Sequence, residues 1–310
     1  MINILFTAMH ERWADYETPL RAAFDNVGLD YRLGTDFPAD QVDYLVYAPG
    51  GAVSDFTPFT RAKAVLCLWA GVESIVTNQT LTQPLCRMVD DGLTDGMVEW
   101  VTGHVLRHHL GIDAHINGQD GIWRAGIAPP LARNRKICVL GIGALGEACA
   151  RQLAALNFDV HGWSRSPKDI AGVTCHAGAA GLIHALLDAE ITVLLLPSTA
   201  ATDNTLNAQT IALMASNAVI INPGRGPLID DDALLDALDS GQLGHATLDV
   251  FRVEPLPPEH PFWAHPKITV TPHIASETRA DTASEIIAKN IRRGEAGEPF
   301  LHLVDRHAGY

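Results

Sequence analysis

The chain has 310 residues, of which 47% are hydrophobic and 19% charged, and it carries a formal net charge of −14 at pH 7 with a pI near 5.3. That length allows about two domains with full cores, and the composition is ordinary for a soluble globular protein. The acidic balance argues against nucleic acid and anionic membrane surfaces as main partners, and the longest apolar runs, such as Ile191 to Leu196, are too short to span a bilayer.

The cysteines and the N-terminus indicate the compartment. The cysteines are odd in number and scattered, no CxxC spacing occurs, and the first three fall in apolar runs, as small buried hydrophobes do. The five are Cys67, Cys86, Cys138, Cys149 and Cys175. The stretch from Met1 to Phe6 lacks a basic region, so it is typical of a first strand rather than a signal peptide. These features predict a reducing, cytoplasmic environment.

The first third of the chain alternates between strand-like and helical segments. Strands are predicted at Ile2–Thr7, Tyr44–Tyr47, Ala64–Leu68 and Cys86–Val89, and a helix at Leu20–Val27. Such alternation predicts a parallel sheet with helices on its faces. This part has no phosphate fingerprint, but a glycine turn, Trp69–Glu73, follows the strand that ends at Leu68. Backbone N–H groups in that turn can face an anion.

A long helix, Met97–His109, is predicted to connect this part to the next, because apolar residues recur along it at helical spacing. His104 and His108 are four residues apart and share a face of it. A metal site would need a third ligand, and the sequence shows none. We therefore predict a helix surface that carries histidines, with no metal.

A glycine-rich turn follows the next predicted strand, Ile137–Leu140, and precedes a helix predicted at Glu147–Leu156. Gly141 permits a tight turn, Gly143 lets the backbone approach a phosphate, and Gly146 lets the helix pack on the strand. The helix N-terminus also offers unpaired N–H groups to negative charge. A glycine turn alone is weak evidence, but strand, turn and helix together predict a site for a dinucleotide pyrophosphate.

The alternation continues to the end of the chain. Further strands are predicted at Asp159–Trp163, Ile191–Leu195, Ala218–Ile221, Ala246–Val250 and Ile268–Thr271. Further helices are predicted at Gly181–Asp188, Asn207–Met214 and Asp231–Asp239, with a final long helix at Glu277–Arg293. Six strands with helical crossovers predict one doubly wound Rossmann domain.

Three chemically distinct side chains each lie just past the end of one of these strands: Arg225, Glu254 and His273. In a doubly wound sheet, ligands bind outside the carboxyl ends of the strands, so the three are expected to converge. A guanidinium can hold a carboxylate through two hydrogen bonds, and an imidazole can exchange a proton with a substrate oxygen. A carboxylate can orient the imidazole and raise its pKa. The set fits the reduction of a 2-oxo acid.

The second strand of the Rossmann domain ends in a turn that predicts the cofactor. An NAD enzyme places a carboxylate there to hold the ribose 2′-OH. Here the segment is Trp163–Lys168, which contains no carboxylate, and Ser164, Arg165 and Ser166 are all donors. The alternative is a solvated basic turn. We predict a 2′-phosphate site, hence NADPH in preference to NADH.

The chain resembles the D-isomer-specific 2-hydroxyacid dehydrogenases, and within that family it most resembles the glyoxylate/hydroxypyruvate reductase A group. The resemblance runs from about residue 64 to the C-terminus. Its segments are Gly141–Gly146, Trp163–Ser166, Leu194–Pro197, Arg225–Gly226, Leu248–Phe251, Glu254–Pro257, Pro272–Ala275 and the ending from Asp305 to Tyr310.

The resemblance implies a discontinuous, flavodoxin-like substrate domain (1–97 and 276–310), a dinucleotide-binding domain (98–275) and a homodimer. It implies Arg225 as the substrate-binding arginine, Glu254 as the partner of the histidine and His273 as the acid/base. It implies that backbone N–H groups of Ala70, Gly71 and Val72 hold the substrate carboxylate. Asp249 is implied to hold the nicotinamide carboxamide. Besides Ser164, Arg165 and Ser166, the implied cofactor contacts are Gly141, Gly143, Ala144, Leu145, Gly146, Leu196, Pro197, Pro223, Gly224, Asp249, His273 and Ala275.

Two positions depart from the family pattern. Trp69 stands where many relatives have a small residue, so it either narrows the substrate cleft or is a core indole. Pro223 and Gly224 precede Arg225 where close relatives carry other residues, which leaves the path of that loop open.

Two other classes of function use this fold or this glycine turn. One is a nucleotide-sensing interaction protein on the same fold, which the set Arg225, Glu254 and His273 argues against. The other is a methyltransferase, which would need acidic ribose contacts near Ser164 that the sequence lacks.

Overall fold

The structure is a computed structural model that describes residues 1–125 and 128–309. It divides into two compact units, Met1–Leu93 with Glu277–Tyr310, and Thr94–Ser276. The sequence-based prediction places the boundaries after residues 97 and 275. Tyr310, the last residue of the C-terminal motif, lies outside the described residues.

The secondary structure alternates as expected. The strands of the described residues are, in chain order, β1 (Ile2–Thr7), β2 (Tyr31–Gly34), β3 (Tyr44–Tyr47), β4 (Ala64–Cys67), β5 (Leu85–Cys86), β6 (Lys136–Leu140), β7 (Asp159–Ser164), β8 (Thr174–Ala177), β9 (Ile191–Leu194), β10 (Ala218–Asn222), β11 (Leu243–Leu248) and β12 (Ile268–Val270). The helices are α1 (Trp13–Asn26), α2 (Glu73–Val76), α3 (Asp91–Leu110), α4 (Ile112–Asn117), α5 (Ala144–Ala155), α6 (Gly178–Leu186), α7 (Ala208–Ile211), α8 (Asp231–Ser240) and α9 (Ala280–Glu295).

The first unit is built on a five-stranded parallel sheet with strand order β2-β1-β3-β4-β5. This is the order of flavodoxin-like folds, and the direction of winding reverses between β1 and β3. Thr7, Tyr47 and Cys67 are register partners across β1, β3 and β4. The carboxyl ends of these three strands therefore lie side by side. The flavodoxin-like fold expected from the resemblance is confirmed.

Helices cover one face of this sheet, where α1 and α9 pack over Ile4, Phe6 and Val46. Helix α1 begins at Trp13, well before the predicted start at Leu20, and it contains Pro19. The prediction that this helix starts at Leu20 was therefore wrong. A proline inside a helix removes one backbone hydrogen bond, which weakens the helix at that point. Burial of Tyr16 and Leu20, four residues apart on the sheet-facing side, offsets that loss.

The second unit is built on a seven-stranded parallel sheet with strand order β12-β11-β10-β9-β6-β7-β8. The winding reverses between β6 and β9, as in the Rossmann fold, so that prediction is confirmed. The prediction of six strands was wrong, because β8 forms the edge beyond β7. Its four residues are half-buried or exposed, so it lacks the apolar run that marks an inner strand.

Apolar side chains fill both faces of this sheet. On one face, Val101 and Val105 of α3 pack with Val139 and Cys149.

His108, also on α3, was expected on the helix surface, but it is partly buried against the sheet. Its Nε2 lies 2.9 Å from Thr247 Oγ1 of β11. Burial lowers the pKa of His108 to about 3. Within the described residues, no group of three or more potential ligands is arranged to hold a metal ion.

The cysteines behave as small hydrophobes. Cys67, Cys86 and Cys138 are buried, as the sequence predicts, and Cys149 is buried as well. Burial raises the pKa of the Cys138 thiol to about 12, so this thiol stays protonated at neutral pH. Among the helices of the described chain, none combines the length and apolar character that a membrane span requires.

Candidate active site

The glycine turn after β6 has the geometry that its spacing predicts. Gly141 has φ +98°, and a Cβ there would lie 2.6 Å from the carbonyl carbon and oxygen of Leu195. A Cβ on Gly146 would lie 1.8 Å from the oxygen of Gly141, so only glycine lets the helix pack this closely. A Cβ on Gly143 would meet no atom within 4 Å. Gly143 therefore borders open space, where a phosphate can approach the backbone.

Helix α5 begins at Ala144, three residues before its predicted start, because Gly143 acts as the residue that precedes its first turn. The N–H of Glu147 donates to the Gly143 oxygen at 2.8 Å. The N-terminal end of α5 thus starts inside the glycine turn and directs backbone N–H groups toward that open space. These features fit the pyrophosphate of a dinucleotide.

The turn after β7 is held together by its own side chains. Ser164 Oγ donates to the Ser166 oxygen at 2.7 Å, which fixes the turn around Arg165. Arg165 is exposed. Lys168 Nζ lies 3.6 Å from Glu147 Oε2, so the carboxylate at the start of α5 faces a cation. The turn presents positive charge and hydroxyl groups, and residues 163–168 contribute no carboxylate.

The loop that carries Arg225 is shaped by two residues that precede it. Asn222 is 1% exposed; its Nδ2 donates to the Arg225 oxygen at 2.9 Å, and its Oδ1 accepts from the Gly224 N–H at 3.1 Å. A Cβ on Gly224 would lie 2.7 Å from the Leu194 oxygen, so the loop packs against the end of β9. The loop at Pro223 and Gly224, where the sequence departs from the family pattern, thus has a defined path. Asn222 was missed by the sequence analysis, although an amide at the end of a buried strand is a signal for it.

Arg225 extends from this loop as a half-buried side chain, and its Nη1 donates to the Gly224 oxygen at 2.7 Å. Its positive charge acts to lower the pKa values of both Glu254 and His273. All three predicted groups therefore influence one another electrostatically, as their positions after β10, β11 and β12 imply.

Glu254 and His273 form a direct pair. His273 Nδ1 lies 2.7 Å from Glu254 Oε2, and Glu254 Oε1 accepts from the Phe251 N–H at 2.8 Å. The Glu254 hydrogen bond raises the pKa of His273 and outweighs the partial burial that opposes it. Burial alone would raise the pKa of Glu254, but bonds from His273 and Phe251 lower it. The carboxylate is thus ionised and stabilises the imidazolium form.

Asp249 organises the loop that carries His273. It is fully buried, and its carboxylate accepts from the Ile274 and Ala275 N–H groups, both at 2.9 Å, and from Thr271 Oγ1 at 2.6 Å. The N–H of His273 donates to the Asp249 backbone oxygen at 2.8 Å. His273 itself has φ +56°, a left-handed conformation that an L residue adopts only when its surroundings hold it there. This loop-ordering role was not foreseen from the sequence.

The predicted carboxylate loop lies in the first unit, directly after β4. Ala70 and Gly71 are half-buried, whereas Val72 is only 2% exposed and packs into the hydrophobic core beneath the loop. The Trp69 oxygen accepts from the Met88 N–H at 3.0 Å, which anchors the start of the loop. The Trp69 side chain is 39% exposed and is therefore not a core indole.

The fold and the site define a nicotinamide-dependent oxidoreductase: a dinucleotide-binding turn with an arginine, a glutamate and a histidine at the carboxyl edge of the same sheet. Residues 102–275 match the family model described as "D-isomer specific 2-hydroxyacid dehydrogenase, NAD binding domain". The chain belongs to the D-isomer-specific 2-hydroxyacid dehydrogenase family, whose members are NAD(P)-dependent enzymes.

Individual relatives agree over nearly the whole chain. A glyoxylate/hydroxypyruvate reductase A from Serratia proteamaculans is 41% identical over 90% of both chains, and one from Yersinia enterocolitica is 38% identical over the same shares. A 2-hydroxyacid dehydrogenase from Xanthobacter autotrophicus, solved with NADPH and MES, is 38% identical and has a TM-score of 0.92 over 99% of both chains. A reductase of glyoxylate and hydroxypyruvate from Sinorhizobium meliloti, solved with NADP and sulfate, is 35% identical with a TM-score of 0.86 over 100% of both chains.

Proposed function

We propose that this enzyme reduces small 2-oxo acids, such as glyoxylate and hydroxypyruvate, to 2-hydroxy acids, with NADPH as reductant and His273 as proton donor. The observation that carries the proposal is the 2.7 Å contact between His273 Nδ1 and Glu254 Oε2 at the carboxyl edge of the sheet that bears the glycine turn. The curated relatives that act on glyoxylate and hydroxypyruvate support the choice of substrate class.

The proton comes from the protein. Because Glu254 accepts the hydrogen bond of Nδ1, the Nε2–H of the imidazolium faces the substrate oxygen and can protonate it. The bond from the His273 N–H to the Asp249 backbone oxygen holds the main chain at φ +56°, and Glu254 Oε2 holds the ring through Nδ1. NADPH, when bound, supplies the hydride for the carbonyl carbon.

In this proposal the substrate carboxylate is bound by two kinds of hydrogen-bond donor. Arg225 can hold it with a planar pair of N–H donors, and its backbone is already fixed by Asn222. Backbone N–H groups of Ala70, Gly71 and Val72 are the second set of donors in this proposal. An enzyme with a net charge of −14 needs such local donors to attract an anionic substrate.

The cofactor lies, in this proposal, along the carboxyl edge of the second unit. The turn Gly141–Gly146 receives the pyrophosphate, and Asp249 lies beside the nicotinamide. Arg165 and Ser166 receive the 2′-phosphate, and Ser164 holds their turn in place through its bond to the Ser166 oxygen. The rest of the proposed cofactor site is lined by Leu196, Pro197, Pro223, Gly224 and Ala275. The preference for NADPH over NADH follows from the donors of the β7 turn, and the relatives solved with NADPH and NADP support it.

We further propose a cytoplasmic homodimer. Apolar side chains are exposed along the segment that follows α3: Ile116 is 63% exposed, Ile122 65% and Trp123 92%. Such exposure in a soluble protein indicates an interaction surface. A second copy of the chain is the occupant that the family resemblance implies.

A substrate panel tests the proposed function. NADPH consumption is followed with glyoxylate, hydroxypyruvate, pyruvate and phenylpyruvate at equal concentrations. The proposal expects glyoxylate and hydroxypyruvate to give the highest kcat/KM. Cofactor binding without turnover of any of the four would contradict it.

A further inference from the structure

The C-terminal tail, by which we mean residues 302–309, lies along the edge of the sheet in the first unit. It runs antiparallel to β5. The Val304 N–H donates to the Leu85 oxygen at 2.8 Å, and the Arg87 N–H donates to the His302 oxygen at 3.1 Å. These backbone bonds on both sides of the pair fix the tail to the strand.

Arg306, a half-buried residue of this tail, binds three backbone carbonyls of one short segment. Its Nε donates to the Val76 oxygen at 3.2 Å, its Nη2 donates to the Asn78 oxygen at 2.8 Å, and its Nη1 donates to the Leu81 oxygen. We call the segment Val76–Leu81 the α2 turn, because it begins at the last residue of α2. A planar guanidinium suits this task, since its separate nitrogens reach separate acceptors.

The chain around Arg306 is itself held in a closed turn by Asp305. The Asp305 carboxylate oxygen Oδ1 accepts from the His307 N–H at 2.9 Å and from the Ala308 N–H at 3.1 Å. The Gly309 N–H donates to the Asp305 backbone oxygen at 2.9 Å. Because the main chain is fixed on both sides of Arg306, the guanidinium is held against the α2 turn.

The α2 turn is bonded directly to the loop Ala70–Val72, which the proposed function assigns to the substrate carboxylate. The Val72 oxygen accepts from the Val76 N–H at 2.9 Å. Val76 therefore binds Val72 through its N–H and Arg306 through its oxygen. Val72 and Val76 also belong to the same apolar cluster as Val304 of the tail. The tail and the loop are thus joined by two hydrogen bonds in series and by shared packing.

The other end of the same loop is anchored from β5 as well. The Trp69 oxygen accepts from the Met88 N–H at 3.0 Å, and Met88 follows the strand with which the tail pairs. The loop Ala70–Val72 therefore lies between one anchor at Trp69 and another at Val76. Donors that are fixed before an anion arrives lose less conformational entropy when they bind it, so the anchors favour binding.

We propose that Arg306 is a positioning residue for the substrate carboxylate. By holding the α2 turn, it keeps the backbone N–H groups of Ala70–Val72 in the arrangement that binds this anion. The inference rests on the proposed function, which places the carboxylate at this loop. Arg306 acts through Val76 and Val72 and does not itself contact the substrate. Because the carboxylate is bound both before and during hydride transfer, loss of this support should appear mainly in KM.

Amide hydrogen exchange tests the anchoring without using catalysis. In Arg306→Ala, exchange at residues 70–81 should be roughly tenfold faster than in the wild type, relative to the amides of β1, because the three bonds from the guanidinium are lost. Arg293→Ala is the matched control. Arg293 is also half-buried in the first unit, and its Nε donates to the Pro299 oxygen at 2.7 Å, away from the α2 turn. Equal exchange at residues 70–81 in the wild type and Arg306→Ala would overturn the proposal.

Steady-state kinetics test the consequence for the substrate. In Arg306→Ala, KM for glyoxylate should rise roughly tenfold, whereas kcat should change by less than about twofold. The Kd of NADPH, measured by its fluorescence, should not change, because the cofactor is assigned to the second unit. Guanidinium chloride, far below the concentrations that unfold the protein, should return KM toward the wild-type value, and sodium chloride at the same concentration should not. A variant that was only less stable would be impaired further by guanidinium, which is a denaturant.

Arg306→Lys keeps the test decisive if Arg306→Ala does not fold. Lysine retains the charge but has one nitrogen in place of three, so KM for glyoxylate should rise severalfold with kcat retained. An unchanged KM in Arg306→Lys would then overturn the proposal.

The outcomes separate this inference from the proposed function. If the wild type reduces glyoxylate but KM is the same in Arg306→Ala, the positioning role is wrong and the proposed function stands. If Arg293→Ala raises KM as much as Arg306→Ala does, the effect is a general one of arginines in the first unit, which also overturns the positioning role. If the wild type reduces no 2-oxo acid, the proposed function fails and the positioning role fails with it.

Discussion

Glu254 holds His273 with one carboxylate oxygen and its own loop with the other: Oε2 lies 2.7 Å from His273 Nδ1, and Oε1 accepts from the Phe251 N–H at 2.8 Å. The carboxylate is therefore fixed before the imidazole becomes charged. Because it is ionised and in place, it stabilises the imidazolium without moving.

The pair predicts the pH dependence of the reaction. Since Glu254 raises the pKa of His273, the imidazolium persists to higher pH than that of an ordinary histidine. Reduction requires the imidazolium form, so kcat/KM for glyoxylate should be at its maximum below the pKa of His273 and should fall as pH rises through that pKa. Oxidation of the hydroxy acid should show the opposite trend. Glu254→Gln should shift the reduction profile to lower pH, and an identical profile in that variant would separate Glu254 from the titration.

Arg225→Lys tests the need for a planar pair of donors. Lysine keeps the positive charge but loses the paired N–H groups and the bond to the Gly224 oxygen. We expect kcat/KM for glyoxylate to fall about ten- to a hundredfold, the worth of a charge-assisted hydrogen bond. Arg21→Lys, at an exposed pair on α1, is the control and should be silent. Near-wild-type kinetics for Arg225→Lys would remove it from the substrate site.

Arg165→Ala tests the cofactor preference. Loss of a charge-assisted bond to the 2′-phosphate should lower kcat/KM for NADPH about ten- to a hundredfold. The value for NADH should hardly change, because NADH has no phosphate there. Arg133→Ala, which removes an exposed cation elsewhere in the second unit, is the control. Equal losses with both cofactors would mean that Arg165 is structural, and a wild-type preference for NADH would overturn this interpretation of the β7 turn.

Trp69 is expected to restrict substrate size. Its indole is 39% exposed and directly precedes the Ala70–Val72 loop, so shortening it should cost little stability. In the series Trp69→Leu and Trp69→Ala, kcat/KM for phenylpyruvate relative to glyoxylate should increase stepwise, because a shorter side chain leaves more room for the phenyl ring. The increase should be roughly tenfold in the alanine variant, which corresponds to about one favourable apolar contact for the ring. Thermal unfolding of each variant gives the control for stability. A ratio that stays constant across the series would assign the tryptophan no part in selectivity.

Trp123 is expected to lie in a subunit interface. Since its side chain is 92% exposed within one chain, Trp123→Ser should leave the folded chain intact but weaken self-association. Light scattering coupled to size-exclusion chromatography should show a dimer for the wild type and a shift toward monomer for the variant. Trp263→Ser, at a tryptophan that is 51% exposed, should remain dimeric. A monomeric wild type would contradict the proposed homodimer.

The sequence by itself determined the features that depend on neighbours in the chain. The turn Gly141–Gly146 follows a strand and begins a helix, and strand, turn and helix together predict a phosphate site. Arg225, Glu254 and His273 could be predicted to converge because the carboxyl ends of parallel strands share one edge. The burial of Cys67 and Cys138 likewise follows from the apolar runs that contain them.

Only the tertiary structure decided the features that depend on contacts between distant segments. Strand β8 exists because it pairs with β7, and α1 extends past Pro19 because Tyr16 and Leu20 are buried against the sheet. Asp249 holds the His273 loop through bonds that cross 22 to 26 residues of chain. No local pattern encodes such a bond, since the donors and the acceptor are brought together only when the strands β11 and β12 pair.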